Sequence, residues 1–200
     1  EGFDFTDETI TDDQRQPISK FMAPGFLTAS LGLNYNITDY FSIYASPATG
    51  KFTFVMDDSI AEANIYIPAT EDENGNQFYN DNYRAEFGTL VSARFKKDLT
   101  KRINLSSNLN LFNNFTDVNE ANRKNWDINM ENMLNMKLTD YIGLSFFNTL
   151  IYDNDIAVPI FEDAVGENAP LPKLDAQGNQ LTGARLQMKN LFGVGFSYKF

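Results

Sequence analysis

From Gly25 onward the chain alternates apolar and polar residues with a period of two, segment after segment. Leu27, Ala29, Leu31, Leu33 and Tyr35 alternate with Thr28, Ser30, Gly32 and Asn34. After a short turn at Ile37-Thr38-Asp39, Phe41, Ile43 and Ala45 alternate with Ser42, Tyr44 and Ser46. Successive strand side chains point to opposite faces, so each run predicts a strand with one apolar and one polar side. Pro47 brings no N–H to a ladder and predicts a bulge, an edge or a bend. Alternation resumes from Lys51 to Met56, read here as the same strand continuing.

Further on, Ala85, Phe87, Val91, Ala93 and Phe95 oppose Arg84, Glu86, Gly88, Ser92, Arg94 and Lys96. A tight turn at Lys97 to Lys101 leads to Ile103, Leu105, Leu109, Leu111 and Phe115, alternating with Asn104, Ser106, Asn108, Asn110 and Asn114. Trp126, Ile128, Met130, Leu134, Met136 and Leu138 oppose Asp127, Asn129, Glu131, Asn135 and Lys137. After Thr139-Asp140 come Ile142, Leu144, Phe146, Leu150 and Tyr152. Arg185 to Phe200 alternates to its last residue and predicts one long terminal strand. Its length suits a tilted strand crossing a bilayer, which needs about ten residues for the hydrocarbon, better than the five or six usual in soluble domains.

The connections sort by length. Those near residues 38, 99 and 139 are tight; Asp57 to Asn82, Thr116 to Lys124 and Asp153 to Gly183 are longer. Membrane barrels sort their connections this way, with short periplasmic turns and long extracellular loops. The expected fold is all-β: an antiparallel transmembrane β-barrel with about seven strands in this chain. It forms one domain over 1–200, with an acidic loop or tail at 1–19 and long extracellular loops at 57–82 and 153–183. Single-chain barrels usually have an even strand count. Seven strands put the two ends on opposite sides, so the chain is expected to be the C-terminal part of a larger barrel. A hairpin at Ala48-Thr49-Gly50 would restore an even count, but it puts the long loops and Phe200 on the wrong sides.

Composition narrows the chemistry. A net charge of −11 argues against a nucleic-acid partner, because phosphate binding needs clustered Lys and Arg. The mean hydropathy of −0.36 fits a barrel, which shows only alternate residues to lipid and carries polar loops. No apolar run is long enough for a transmembrane helix. The chain has no His and no Cys, so the usual bases and thiol nucleophiles of hydrolases and acyl transferases are missing from it. Asp127 and Glu131 share a strand face as a possible carboxylate pair, but structural ion pairing with Lys137, Arg84 and Arg94 is the better reading. No enzyme activity, metal or cofactor is expected.

Charge placement selects the face that meets lipid. Arg84, Glu86, Arg94, Lys96, Asp127, Glu131, Lys137, Arg185, Gln187 and Lys189 lie on the polar series and are expected to line a lumen. Facing lipid at mid-depth, an Arg or Lys would cost about 2–4 kcal/mol. Tyr35, Trp126, Tyr152 and Tyr198 fall near strand ends, where an interfacial aromatic girdle belongs. Ser107, Asn113, Asn132 and Asn148 interrupt the apolar series and mark a contact seam, the rims or a local register shift. The long loops are acidic, suited to solvation or to cations near lipopolysaccharide. Glu71 to Asn76 has a misplaced glycine for a calcium loop and lacks the twelfth-position Glu.

Two resemblances follow from these residues. Gly195, Tyr198 and the final Phe200 resemble the C-terminal signal by which outer-membrane barrels are recognised by their insertion machinery, although its first, usually polar position is Gly193 here. ISKFMAP at 18–24, FSIYASPATGKFTFV at 41–55, RAEFG at 84–88, LNMK at 134–137, LIYDND at 150–155 and the terminal LQMKNLFGVGFSYKF together resemble a family of outer-membrane β-barrel proteins of unknown function from Bacteroidota. That resemblance covers nearly the whole chain and implies a barrel of about twelve strands in the bacterial outer membrane, with extracellular loops and a periplasmic C-terminus. Expected partners are the bilayer, lipopolysaccharide, the insertion machinery and other proteins of an outer-membrane complex. An accessory or structural barrel and a porin-like channel for small solutes are the two leading expectations; an enzyme is a distant third.

Overall fold

The computed structural model describes residues 2–3, 17–63, 66–67, 70–71, 77–78, 82–117, 119–154, 158–161, 171–175, 178 and 180–198. Seven long strands follow the alternating segments: β1 (Gly25–Thr38), β2 (Phe41–Phe54), β3 (Tyr83–Thr100), β4 (Ile103–Asn114), β5 (Asp127–Lys137), β6 (Ile142–Tyr152) and β7 (Gln187–Phe196). They form one seven-stranded antiparallel sheet in chain order, with β1 and β7 as its edges. The sheet is open. Among the described residues no helix is long and apolar enough to cross a membrane.

β2 runs unbroken through Pro47 to Phe54, which excludes the hairpin at Ala48 to Gly50. Pro47 offers no N–H, and the buried Ser46 hydroxyl shares its one proton between the Leu31 carbonyl at 2.8 Å and the Ala48 carbonyl at 2.9 Å. Gly32 packs so tightly against the Ala45 carbonyl that a Cβ there would overlap it.

Contacts divide the chain into two compact units, Glu1–Ser30 with Thr49–Phe87, and Leu31–Ala48 with Gly88–Phe200. The first holds a small core of Ala23, Val55, Ile60 and Ile67. A tight turn at Lys20 to Ala23 is closed by reciprocal backbone bonds, and Met22 takes φ +54° within it. The turn is tied to the segment after β2 by Met56 N–H donating to the Met22 carbonyl and by a 2.7 Å Lys20–Asp57 ion pair. Asp57 also caps the short helix α1 (Asp58–Glu62) by accepting from Ile60 N–H. The Lys20 ammonium, then the Ser59 hydroxyl, hold the Asp57 carboxyl down at about 2. Pro17–Ser19, expected to be irregular, pairs instead with Gly2–Phe3. Thr70–Glu71 pairs with Gln77–Phe78 as the arms of the expected small hairpin; its Asn74-Gly75 tip lies outside the described residues.

In the second unit the turns at Asp39–Tyr40, Lys101–Arg102 and 138–141 lie at one end of the sheet. They are linked there by Lys96 N–H to the Tyr40 carbonyl and Lys137 N–H to the Arg102 carbonyl, both at 2.8 Å. Loops 115–126 and 153–186 leave from the other end. The 115–126 loop is built, not slack. Asn113 is buried and donates to the Arg123 and Asn125 carbonyls at 3.0 and 2.6 Å, so it anchors this loop. Beyond β6, Val158 pairs with Gly183, Pro159 with Thr182 and Leu174 with Gln180.

The last strand is shorter than its alternation predicts. It starts at Gln187, paired with Ile151, and its partner β6 ends one residue later at Tyr152, so nothing in β6 stands opposite Arg185. Arg185 therefore lies outside the strand, on an exposed irregular segment.

Candidate functional site

Register in the second unit resolves the sheet into two walls of aligned rows. On one wall Arg94, Asn108, Glu131, Thr149 and Lys189 stand in a single row across β3 to β7. Parallel to it runs Ser92, Asn110, Asn129, Ile151 and Gln187, and on the other side Lys96, Ser106, Met133, Phe147 and Leu191. Hydroxyl–amide bonds tie neighbouring strands here: Ser92 donates to Asn110 at 2.6 Å and Ser145 to Asn135 at 2.7 Å. Asp127 shares this side at the loop end, in register with Phe112, and Lys137 shares it at the turn end, opposite Gly143. Seven of the expected lumen residues thus share one face: Arg94, Lys96, Asp127, Glu131, Lys137, Gln187 and Lys189.

The expected ion pairing takes a different form. Arg84 pairs with Glu86, two places along its own strand, at 3.0 Å. Arg94 and Glu131 are separated by the whole of β4, about 10 Å at normal strand spacing, so Asn108 stands where a direct contact would be. Asp127 and Glu131 lie four positions apart on one strand, about 13 Å. That is beyond the carboxylate separations used in paired acid–base chemistry. Among the described residues no group of three or more His, Cys, Asp or Glu is placed to hold a metal ion.

The opposite wall is apolar and bare. Leu31, Leu33, Tyr35 and Ile37 of β1 and Met188, Phe192, Val194 and Phe196 of β7 are exposed, with Leu33 and Phe192 at 82% and 83%. From β4 to β7 this wall repeats in rows such as Leu105, Leu134, Phe146 and Phe192, which Lys97 heads on β3, or Leu109, Met130, Leu150 and Met188, which Ala93 heads. Phe112 is the one large apolar side chain described as buried in this unit, and it belongs to the polar wall. Among the described residues no buried core lies against the apolar wall. A soluble sandwich buries this side beneath a second sheet; here about twenty-five cal/mol of hydrophobic free energy per Å² is left uncollected.

Aromatics band both ends. At the turn end Tyr198 stacks on Tyr141 at 5.6 Å, with Phe196 beside it at 6.5 Å. In the same unit Tyr40 meets Phe95 edge-on at 5.7 Å, and the Lys97 ammonium lies 4.0 Å from the Tyr40 ring centre. Trp126 and Tyr152 stand at the loop end and Tyr35 near the turn end, so the four expected girdle residues divide between two levels. Tyr40 and Tyr141 escaped the sequence reading because turn residues lie outside the alternation; their signal was an aromatic directly before each new strand. The eleven residues of β6 connect the two levels. At about 3.4 Å per residue and a tilt near 40°, that spans about 26 Å, close to the apolar band of an outer-membrane barrel.

Of the residues resembling an insertion signal, Gly195 pairs with Gly143 in β7, and Tyr198 lies just past it, where Ser197 N–H still donates to the Tyr141 carbonyl. Phe200 lies outside the described residues. Comparison with protein-family models, with curated proteins and with solved structures finds no match in any of the three.

Proposed function

We propose that this chain forms part of a transmembrane β-barrel of the bacterial outer membrane and works there as an accessory or structural barrel without catalytic activity. The observation that carries this reading is the uncovered apolar wall, held between two aromatic levels at bilayer spacing. Acyl chains cover such a wall without a second protein layer, and the polar wall then faces a lumen. The open edges of β1 and β7 are closed by further strands, about twelve in all if the resemblance to the Bacteroidota family holds. The turns face the periplasm, the loops face outward toward lipopolysaccharide, and the terminal residues engage the insertion machinery.

A second reading, a porin-like channel for small solutes, draws on the row Arg94, Asn108, Glu131, Thr149 and Lys189, a mixed and net cationic wall. The test is fractionation with heat-modifiable gel mobility, followed by planar-bilayer recording. An accessory barrel is expected in the outer-membrane fraction, running as a compact folded band until boiled and giving no steady conductance. Steady channels would move the assignment to the pore, and a folded protein in buffer without amphiphile would refute the membrane reading.

A further inference from the structure

The turn end of the polar wall carries charge against the trend of the chain. Two recesses open there. One, of about 320 Å³, lies between β1, β2 and β3, and its lining includes Arg94 and Lys96 with Asn36, Asp39 and Ser42. The other, of about 550 Å³, lies over the ends of β3, β4 and β5; Lys101, Arg102 and Lys137 line it with Asp98, Asn104 and Asn135. Lys96 and Asp98 stand two places apart on one side of β3, about 7 Å, so the recesses adjoin. The chain has 27 acidic residues to 16 basic ones, yet these recesses hold five cations and only two carboxylates, Asp39 and Asp98.

Among the described residues none of the five cations has an ion-pair partner. Asp98 is engaged by the Asn104 amide at 2.8 Å. Lys137 N–H donates to the Arg102 carbonyl at 2.8 Å, which sets these two residues side by side on neighbouring strands. The Arg102 guanidinium donates to the Leu138 carbonyl at 3.2 Å and keeps its other donors unengaged. Asn135 accepts from Ser145 through its carbonyl, which leaves its amide N–H pair free. Cations gathered without counter-charges repel one another, and a bound anion relieves that repulsion. The larger recess has three cations to one carboxylate, an excess of two. That is close to the charge of a phosphate monoester at neutral pH, whose three terminal oxygens accept charge-assisted hydrogen bonds from Arg and Lys. A carboxylate offsets only one of the two charges.

We propose that the larger recess seats the phosphate group of a small solute, with Arg102 and Lys137 as its principal contacts. Its volume is that of a small-molecule site. The adjoining Arg94 and Lys96 raise the local concentration of anions along the polar wall and so feed the seat. With the turns toward the periplasm, the seat lies at the inner mouth of the lumen. That placing rests on the membrane reading above; the seat itself rests only on β3, β4 and β5.

The test is equilibrium dialysis of the full protein, purified in mild detergent, at low ionic strength where screening is weak. Radiolabelled glycerol 3-phosphate, inorganic phosphate and acetate are the probes, and insertion into vesicles is read separately by heat-modifiable mobility. Glycerol 3-phosphate is expected to bind at a single site per chain, and acetate not to bind measurably. R102Q/K137Q should weaken binding at least about tenfold. K137Q alone, which keeps the Arg102–Leu138 bond, should weaken it about threefold and carries the test if the double variant fails to fold. K124Q, the same charge change beyond the other end of β5, should leave binding unchanged. Inorganic phosphate binding as tightly supports the seat with free phosphate as its source; weaker binding supports it with an organic phosphate. Absence of phosphate binding overturns the seat, as does acetate binding equally well or binding that K137Q and R102Q/K137Q leave unaffected. Insertion without binding overturns the seat and leaves the membrane reading standing. Binding without insertion keeps the seat and removes its placing at the inner mouth.

Discussion

Met133 and Leu134 are consecutive in β5, and register puts them on opposite walls. An arginine at each asks what solvent each wall meets. Leu134 sits one row from the middle of the apolar wall, where an arginine facing hydrocarbon costs about 2–4 kcal/mol. That is roughly a 30- to 700-fold loss in the folding equilibrium. Met133 shares its row with Lys96 and Ser106 and is 40% exposed, so M133R should cost no more than about 0.5 kcal/mol. Depth supplies the control. Ile128 lies six positions along the strand from Leu134, beside Tyr152 at the loop-end aromatic level, about 15 Å along the membrane normal at a tilt near 40°. I128R should therefore cost only about 0–1 kcal/mol. The measurement is a urea titration of the protein refolded into lipid vesicles, read by the fluorescence of its one tryptophan, Trp126. Lipid contact requires the order L134R far below I128R, with M133R near wild type. Equal losses for L134R and I128R would refute it, because a protein core penalises a buried arginine whatever its depth.

Three further outcomes follow from local geometry. The Asp57 carboxyl sits at about 2 in the folded chain, against about 3.9 unfolded. Its contribution is therefore complete above about pH 4 and lost as the pH falls toward about 2. The protection of Met56 N–H, which bonds the Met22 carbonyl, relative to its intrinsic exchange rate should fall over that window, and D57N should abolish that fall. N113A strips the buried tether from the Arg123 and Asn125 carbonyls; it should cost about 1–3 kcal/mol and speed tryptic cleavage after Arg123 and Lys124 while leaving strand content by circular dichroism unchanged. G88A puts a Cβ into the Asn113 carbonyl, so β3 and β4 must part there; a loss of about 1–3 kcal/mol in the same urea titration is expected.

The strands were legible because period-two alternation is a local property: Leu27 to Tyr35 or Ile142 to Tyr152 announce their faces without reference to any neighbour. Hairpin turns were legible for the same reason, since Thr38-Asp39 and Thr139-Asp140 break the pattern where they stand. Relations between strands were not. Ser107, Asn132 and Asn148 looked like separate blemishes on an apolar series, and only register joins them with Asn190 into one ladder. Asn113 looked the same in sequence, yet it lies at the rim and belongs to a loop anchor. Arg94 and Glu131 have opposite charges on the same wall, but a whole strand separates them. Arg185 continues the terminal alternation, whereas strand length is fixed by what lies alongside, and β6 has ended by then.

The sheet's two borders carry a practical consequence. Among the described residues, about half of the main-chain amides and carbonyls along Gly25–Thr38 and Gln187–Phe196 have no neighbouring strand to bond within the sheet. Each border is a template for whatever extended peptide arrives first, another molecule of the same kind included. Off the membrane such ribbons should stack end to end into cross-β aggregates, the faster the more concentrated they are. For the barrel proposed above, delivery to the bilayer is then a race in which the borders must stay masked until lipid and the closing strands have taken their places.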